Sequence, residues 1–401
     1  MLTLNEQQEF VTQKAVDNYY NKQEQVFQFA GLPGCGKSVV LNEIIKRLGL
    51  DPITQVAAMS YIGSASLVMR MKGLLNAKTA HSWLYNVKPI ELRDEYGKII
   101  MDELLNVPIM IPKFTPVESL DPEIKLIAFD EGYSCPLSMR PQIERFGLPI
   151  ITCGDPNQLP PVNDEPAFLT SGKIYYLTQR MRQLDAVDIN EITDRIRFDL
   201  PMLNGYHGNS LIIDHKDITD DMLMWADVII CGKNSTRDAI NKRIRDILGY
   251  GNSKLPRYGE KIVCRKNNWL ESIRFDNGAD VNLVNGLMGT VINNPDVSSY
   301  DGKLFSLDFK PDLCPTVSFD NIRCNYKHMI SDNKTRMAIR NNRYEAGNMF
   351  EYGYAVTSHV AQGSEWDKVL YIEEYIHPSI QKALNIVGAS RARHQLIYAR
   401  M

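Results

Sequence analysis

The residues best suited to chemistry are Gly31-Leu32-Pro33-Gly34-Cys35-Gly36-Lys37-Ser38. An apolar run (Val26, Phe27, Phe29, Ala30) precedes them. Apolar residues at helical spacing (Val40, Leu41, Ile44, Ile45, Leu48) follow. A strand, a glycine-rich turn and a helix opening form a cradle whose backbone N–H groups can point at phosphate oxygens. The helix N-terminus adds a partial positive charge there. In that setting Lys37 reaches the β- and γ-phosphates, and the Ser38 hydroxyl ligates Mg²⁺. The pattern implies a bound nucleoside triphosphate, contacted by Gly31, Pro33, Gly34, Cys35, Gly36, Lys37 and Ser38.

A second chemical pair closes the short apolar run Ile124-Lys125-Leu126-Ile127-Ala128-Phe129, namely Asp130-Glu131. Open α/β sheets place their chemistry at the C-terminal ends of strands. Asp130 is therefore expected to share the Mg²⁺ with Ser38, and Glu131 to polarise the attacking water. The strand Pro149 to Cys153 ends in Gly154-Asp155-Pro156-Asn157-Gln158-Leu159-Pro160-Pro161, a stiff loop whose Gln158 amide could touch a γ-phosphate. Gln8 supports two readings: an adenine contact ahead of the cradle, or the closing residue of a capping box begun by Asn5. Ser60, Thr79, His81 and Ser82 follow strand ends, where small hydroxyl residues can contact phosphates but are also what ordinary loops and helix caps are made of.

These residues need a scaffold, and the 401-residue chain is long enough for two domains or three small ones. Hydrophobic content of 44% and charged content of 23% are those of an ordinary globular protein. No apolar run reaches membrane-spanning length, and the first residues do not read as a signal peptide. The seven cysteines are scattered without a C-x-x-C pair, which argues against a disulfide framework or zinc site and for a reducing, cytoplasmic setting. A net charge of −3 gives no global attraction for nucleic acid, so such binding needs a local groove.

The strand–helix rhythm predicts an α/β fold. The first lobe spans 1–84 and 122–175, interrupted by a proline-bracketed insertion at 85–121. A second α/β unit spans 176–253 and 345–401. Short alternating runs within 254–344 predict a small inserted β-barrel, flanked by a basic strip of Arg323, Lys327, Lys334, Arg336, Arg340 and Arg343.

Taken in order, these motifs resemble those of the superfamily 1 helicases over nearly the whole chain. Leu4 to Gln8 is similar to the Q-motif, Gly31 to Ser38 to motif I, Ser60 to Ala65 to motif Ia, and Thr79-Ala80-His81-Ser82 to the strand-contacting segment after it. Phe129-Asp130-Glu131-Gly132 resembles motif II, and the Gly154–Pro161 loop motif III. Leu177-Thr178-Gln179-Arg180-Met181-Arg182-Gln183 resembles motif IV, Thr357 to Glu365 motif V, and Ser390-Arg391-Ala392-Arg393 motif VI. The Gln-Leu-Pro-Pro loop and the Thr-x-His-x-x-Gln-Gly run resemble the Dda and RecD-like branch, which moves 5′ to 3′ on single-stranded DNA.

The resemblance implies two RecA-like lobes sharing one ATP and Mg²⁺. Arg182 and Arg391 would supply positive charge to the γ-phosphate, and Gln8, Gly363 and Glu365 would add nucleotide contacts. Ser60, Thr79, His81, Ser82, Thr357 and His359 would line a single-strand groove, and the 85–121 insertion would split the fork. The expected partners are single-stranded and fork DNA, with replication proteins, for a monomer in the cytoplasm, the host's if the source is viral. RNA as the substrate, or a P-loop ATPase that is no motor, are the competing readings.

Overall fold

The computed structural model describes residues 4–102, 107–181, 187–274, 280–296, 303–313, 315–342 and 345–401. Arg182 and Arg343 lie outside the described residues.

Strands Val56–Ser60, Leu126–Asp130 and Ile150–Gly154 are buried at every position. Apolar runs without polar alternation form strands covered on both faces, the signature of a parallel sheet between helices. Here the sheet has six strands, in spatial order Ile174–Leu177, Val26–Gly31, Ile150–Gly154, Leu126–Asp130, Val56–Ser60 and Lys78–Thr79, all in parallel. Its register sets Ala30 opposite Gly154, Phe129 opposite Thr152, and Ser60 opposite Asp130. The C-terminal ends of three neighbouring strands therefore bring the glycine-rich turn, the Asp130-Glu131 pair and the Asp155–Gln158 loop to one edge.

The second lobe holds another six-stranded sheet, in the order Gly205–His207, Ser210–Asp214, Ala392–Arg400, Trp366–Ile372, Val228–Cys231 and Ala355–Thr357. Its first two strands are an antiparallel hairpin turned by Gly208-Asn209, with Gly208 at φ +60°. A Gly-Asn pair is a hairpin turn signal, but three- and five-residue strands are too short to announce themselves by alternation.

Two boundaries and one architecture differ from the sequence expectation. The strand Ile174–Leu177 completes the first sheet, so that lobe runs past 175. The strand Phe350–Tyr352 pairs with Lys261–Cys264, so the inserted unit runs past 344. That unit, expected as a barrel, is an antiparallel sheet of five strands in the order Phe319–Asn325, Leu304–Pro311, Met288–Val291, Lys261–Cys264, Phe350–Tyr352. Among the described residues one isolated bridge, Cys324 to Asn348, joins the chain leading into the last strand to the first. The 85–121 insertion contains a hairpin, Tyr85–Glu91 against Met110–Pro116, paired from Tyr85↔Pro116 to Glu91↔Met110.

Apolar contacts lock the three units together. Leu159, in the loop after Gly154, packs on Leu384 and Val387 of the second-lobe helix Pro378–Ala389. Leu67, from the first-lobe helix Gly63–Met71, enters the core of the inserted sheet beside Ile262 and Phe305. The basic strip divides: Arg323, Lys327 and Lys334 are exposed, whereas Arg336 pairs with Asp238 and Arg340 with Glu351, a carboxylate also held by Arg237 and Arg265.

Candidate nucleotide site between the lobes

In the glycine-rich turn, Gly34 (φ +80°) and Gly36 (φ +81°) adopt left-handed conformations that L side chains resist. A Cβ on Gly36 would also stand 2.5 Å from Gln8 Nε2. Lys37 opens the helix Lys37–Arg47, and its ammonium donates to the carbonyls of Gly31 (3.0 Å) and Leu32 (3.3 Å). Burial alone would lower the Lys37 pKa. The Cys35 sulfur and the carboxylates of Glu131 and Asp155 outweigh it, so the pKa is raised and the cation retained. Cys35 is wholly buried, its thiol pKa pushed up chiefly by that burial. A positive, glycine-lined turn at a helix N-terminus fits a polyphosphate.

Gln8 fulfils the capping-box reading and also reaches the cradle. It closes the capping box with Asn5, and its Nε2 donates to the Cys35 carbonyl at 2.9 Å. With 1% exposure, its amide fastens the turn from behind. The neighbouring Gln7 does something the sequence did not single out. Its Oε1 accepts from Thr178 and Gln179 N–H groups, tying the first helix to the chain that leaves the first lobe.

Asp130 Oδ1 accepts from the Glu131 N–H (2.9 Å) and from the Cys153 thiol (3.2 Å). Ser38 Oγ, on the adjacent helix, accepts from Lys72 Nζ at 3.5 Å. One carboxylate and one hydroxyl fit Mg²⁺, which takes few protein ligands and completes its shell with phosphates and water. Among the described residues no group of three or more His, Cys, Asp or Glu forms an all-protein metal cage.

Glu131 sits at φ +54°, a left-handed conformation unusual for a side-chain-bearing residue and frequent where strain serves function. Its pKa is raised, by burial first and by Asp130 and Asp155, against the lowering pull of Lys37 and Arg391. A carboxylate raised toward neutral pH suits a general base. Arg391 comes from the second lobe. Arg391 is 5% exposed, and its guanidinium donates to Val387 O (3.0 Å), Ser364 O (3.4 Å) and Ser390 Oγ (3.0 Å). The second arginine expected here, Arg182, is the one outside the described residues.

Two further links cross the cleft. Gln362 Nε2 donates to Gln158 Oε1 at 3.5 Å. Arg197, the last residue of the helix Val187–Arg197, faces Asp155 at 3.8 Å. Neither Asp155 nor Arg197 was singled out from the sequence. No local pattern marks an arginine at a helix end as facing a loop 42 positions earlier.

Gly363 (φ +85°) lies at the seam rather than in the cradle: a Cβ there would stand 3.2 Å from both Ala65 Cβ and Ser64 Oγ. Glu365 is exposed.

Of the expected strand contacts, three serve the fold. Ser60 is 0% exposed and accepts from the Ile62 N–H. Thr79 caps the helix Ala80–Leu84, bonding the Ser82 hydroxyl (2.9 Å) and N–H (3.3 Å). These small hydroxyls are consumed by local turns, the competing reading in each case. Thr357 is buried too, whereas His359 is exposed. His81 is half-buried within a row of rings: Tyr61 at 5.7 Å, Tyr85 at 6.3 Å, and beyond Tyr85 the hairpin's Phe114 at 6.2 Å.

A model of the AAA domain family matches residues 3–200. No curated protein matches by sequence. Among solved structures, the chain resembles a Pif1 helicase described in DNA unwinding at forked duplexes by two coordinating copies (16% identity, 99% of this chain and 92% of that one, TM-score 0.55). It also resembles the Pif1 helicase of Candida albicans (16% identity, 99% and 95%, TM-score 0.52) and that of Bacteroides with ADP-AlF3 and single-stranded DNA (16% identity, 99% and 92%, TM-score 0.53). Residues 3–200 thus resemble an AAA domain, and the chain as a whole shares the two-lobed, RecA-like fold of these solved structures.

Proposed function

We propose that this protein is an ATP-dependent translocase on single-stranded DNA that unwinds duplexes, moving 5′ to 3′. The observation that carries this is the docking of the two lobes beside the Gly31–Ser38 cradle, where Gln362 of one meets Gln158 of the other and Leu159 packs on Leu384 and Val387. A nucleotide in that cradle would be held by Lys37 and Ser38 of one lobe and sensed by Arg391 of the other. Charge accumulates on the transferring phosphoryl group, so an arginine supplied across a cleft raises the rate by about 10³ to 10⁵. Bound Mg²⁺ would neutralise phosphate charge, held by Ser38 and Asp130. Glu131 would take the proton of the attacking water. Loss of the γ-phosphate removes the ligand that bridges the lobes, so they part, and alternate closing and opening advances a strand.

The solved relatives, one bound to ADP-AlF3 and single-stranded DNA, support this substrate choice. The row Tyr61, His81, Tyr85 and Phe114 supports it as well, because it leads from a strand end of the first lobe to the base of the projecting hairpin. Rings of that kind hold bases by stacking, at about 1–3 kcal/mol per base. The hairpin would then be the wedge and the inserted sheet its neighbour at the fork, with one chain as the working unit.

Strand displacement on 5′-tailed and 3′-tailed duplexes, with ATP and Mg²⁺, tests the proposal. Unwinding of the 5′-tailed duplex alone is expected. Hydrolysis stimulated by single-stranded RNA and not by DNA would overturn the choice of substrate, and unwinding only from a 3′ tail would overturn the polarity.

A further inference from the structure

Asp155 and Arg197 form an ion pair that is not closed. The aspartate is 1% exposed and the arginine side chain 10%, yet Arg197 Nη2 stands 3.8 Å from Asp155 Oδ2. That is nearly 1 Å beyond a hydrogen bond of normal length. Among buried polar atoms, Asp155 Oδ2 and Arg197 Nε and Nη2 have no hydrogen-bond partner. Unpartnered charged groups in a dry interface are costly, so a small approach of the lobes would turn this cost into a charge-assisted hydrogen bond.

The other atoms of both residues are already engaged. Asp155 Oδ1 accepts from the Asn157 N–H (2.9 Å) and from Asn157 Nδ2 (3.1 Å), and the Asp155 carbonyl accepts from the Gln158 N–H (3.0 Å). The aspartate thus shapes the turn that presents Gln158. Arg197 Nη1 donates to Asp194 (3.1 Å), which Arg180 also grips with two bonds of 2.7 and 2.6 Å. The guanidinium is therefore held to its own lobe by one edge, with the other edge directed at the loop. Asp155 also contributes to the field felt by Lys37 and Glu131, which places it beside the reacting groups.

We propose that Arg197 is a positioning residue for the ATP reaction. It acts through Asp155, closing the 3.8 Å gap as the lobes come together, and so sets the Asp155–Gln158 loop against the phosphates. This rests on the two-lobed ATPase reading above and assigns a residue that the motif pattern did not.

The test is a double-variant cycle on steady-state ATP hydrolysis by the full chain, with and without single-stranded DNA. Arg197→Gln is expected to lower kcat about tenfold and to leave KM for ATP within about twofold, since it removes an interaction completed only in the closed state. Arg197→Lys should recover much of the loss. Asp155→Asn should fall as far as Arg197→Gln, and the double variant no further, because each residue acts through the other. Full kcat in either glutamine or asparagine variant, failure of lysine to recover, or losses that multiply in the double variant would overturn the proposal. If thermal melting shows Arg197→Gln unfolded, near-isosteric Asp155→Asn carries the test alone, and normal kcat in that folded variant is the refuting result. Lack of stimulation of the unmodified chain by DNA would count against the translocase reading instead, while the cycle can still be read on basal hydrolysis.

Discussion

Gln362 Nε2 lies 3.5 Å from Gln158 Oε1, joining a loop of the second lobe to a loop of the first by a contact between two almost fully buried amides. The same segment of the second lobe reaches the first at another point, where Ser64 Oγ donates to the Gln362 carbonyl at 3.3 Å. Ser64 belongs to the helix that follows the strand ending in Ser60. Gln362 is thus placed to report lobe position to Gln158. Gln362→Ala should lower DNA-stimulated hydrolysis about tenfold while leaving nucleotide affinity nearly unchanged, because the cradle itself is untouched. Equilibrium binding of a fluorescent ADP analogue, measured beside stimulated kcat, separates the two effects. An equal loss in both would contradict this role.

The pH profile should carry the signature of Glu131. A general base works only when deprotonated, so kcat must rise with pH through its titration. Burial first, then Asp130 and Asp155, raise that pKa above 4.5, which moves the acid limb of the profile toward neutrality. Glu131→Gln should retain nucleotide binding, lose about 10² to 10⁴ in kcat, and abolish the limb. A limb that persists unchanged in any residual activity would assign it to another group.

The aromatic row separates binding from strand separation. His81→Ala, in the middle of the row, should weaken single-stranded DNA binding by about 1–3 kcal/mol, as loss of one stacking partner does. Phe114 lies in the hairpin and is 43% exposed. Phe114→Ala should therefore reduce strand displacement more than DNA-stimulated hydrolysis. Fluorescence anisotropy and fork unwinding, read side by side, check the pair, and a loss of fork unwinding by His81→Ala with single-strand binding unchanged would reverse the assignment.

Stability should depend on the buried Glu351, which faces Arg237 at 2.8 Å and Arg265 at 3.3 Å. Glu351→Gln takes the counter-charge from Arg265 and one of the two from Arg237, which also pairs with Asp238, and should cost about 3–5 kcal/mol. Next to it, His328 is 0% exposed. Burial, against the pull of Glu351 and with the push of Arg340 and Arg336, lowers its pKa from 6.5 to about 4. The unfolded chain then binds this proton more readily than the folded one. The contribution is therefore present in full above about pH 6.5 and lost progressively as the pH falls to about 4, ~3 kcal/mol in total. Urea unfolding at pH 7 and pH 5 should show a smaller drop for His328→Asn than for the unmodified chain.

The sequence by itself determined the cradle, the Asp130-Glu131 pair, the order of the motifs and the two α/β lobes. Each of these is local: a turn needs its glycines within eight residues, and a buried parallel strand announces itself as an unbroken apolar run. The tertiary structure decided how shared signals are spent. A hydroxyl after a strand reads alike as phosphate contact or cap, and packing buried Ser60 and made Thr79 a helix cap. A basic strip reads alike as a solvated surface or a nucleic-acid face, yet Arg336 and Arg340 fold inward onto Asp238 and Glu351. The meetings of Gln158 with Gln362 and of Asp155 with Arg197 are likewise set by how two separately folded sheets are docked, through Leu159 on Leu384 and Val387. No spacing within either segment encodes that docking, because the energy of those contacts exists only once both lobes have formed.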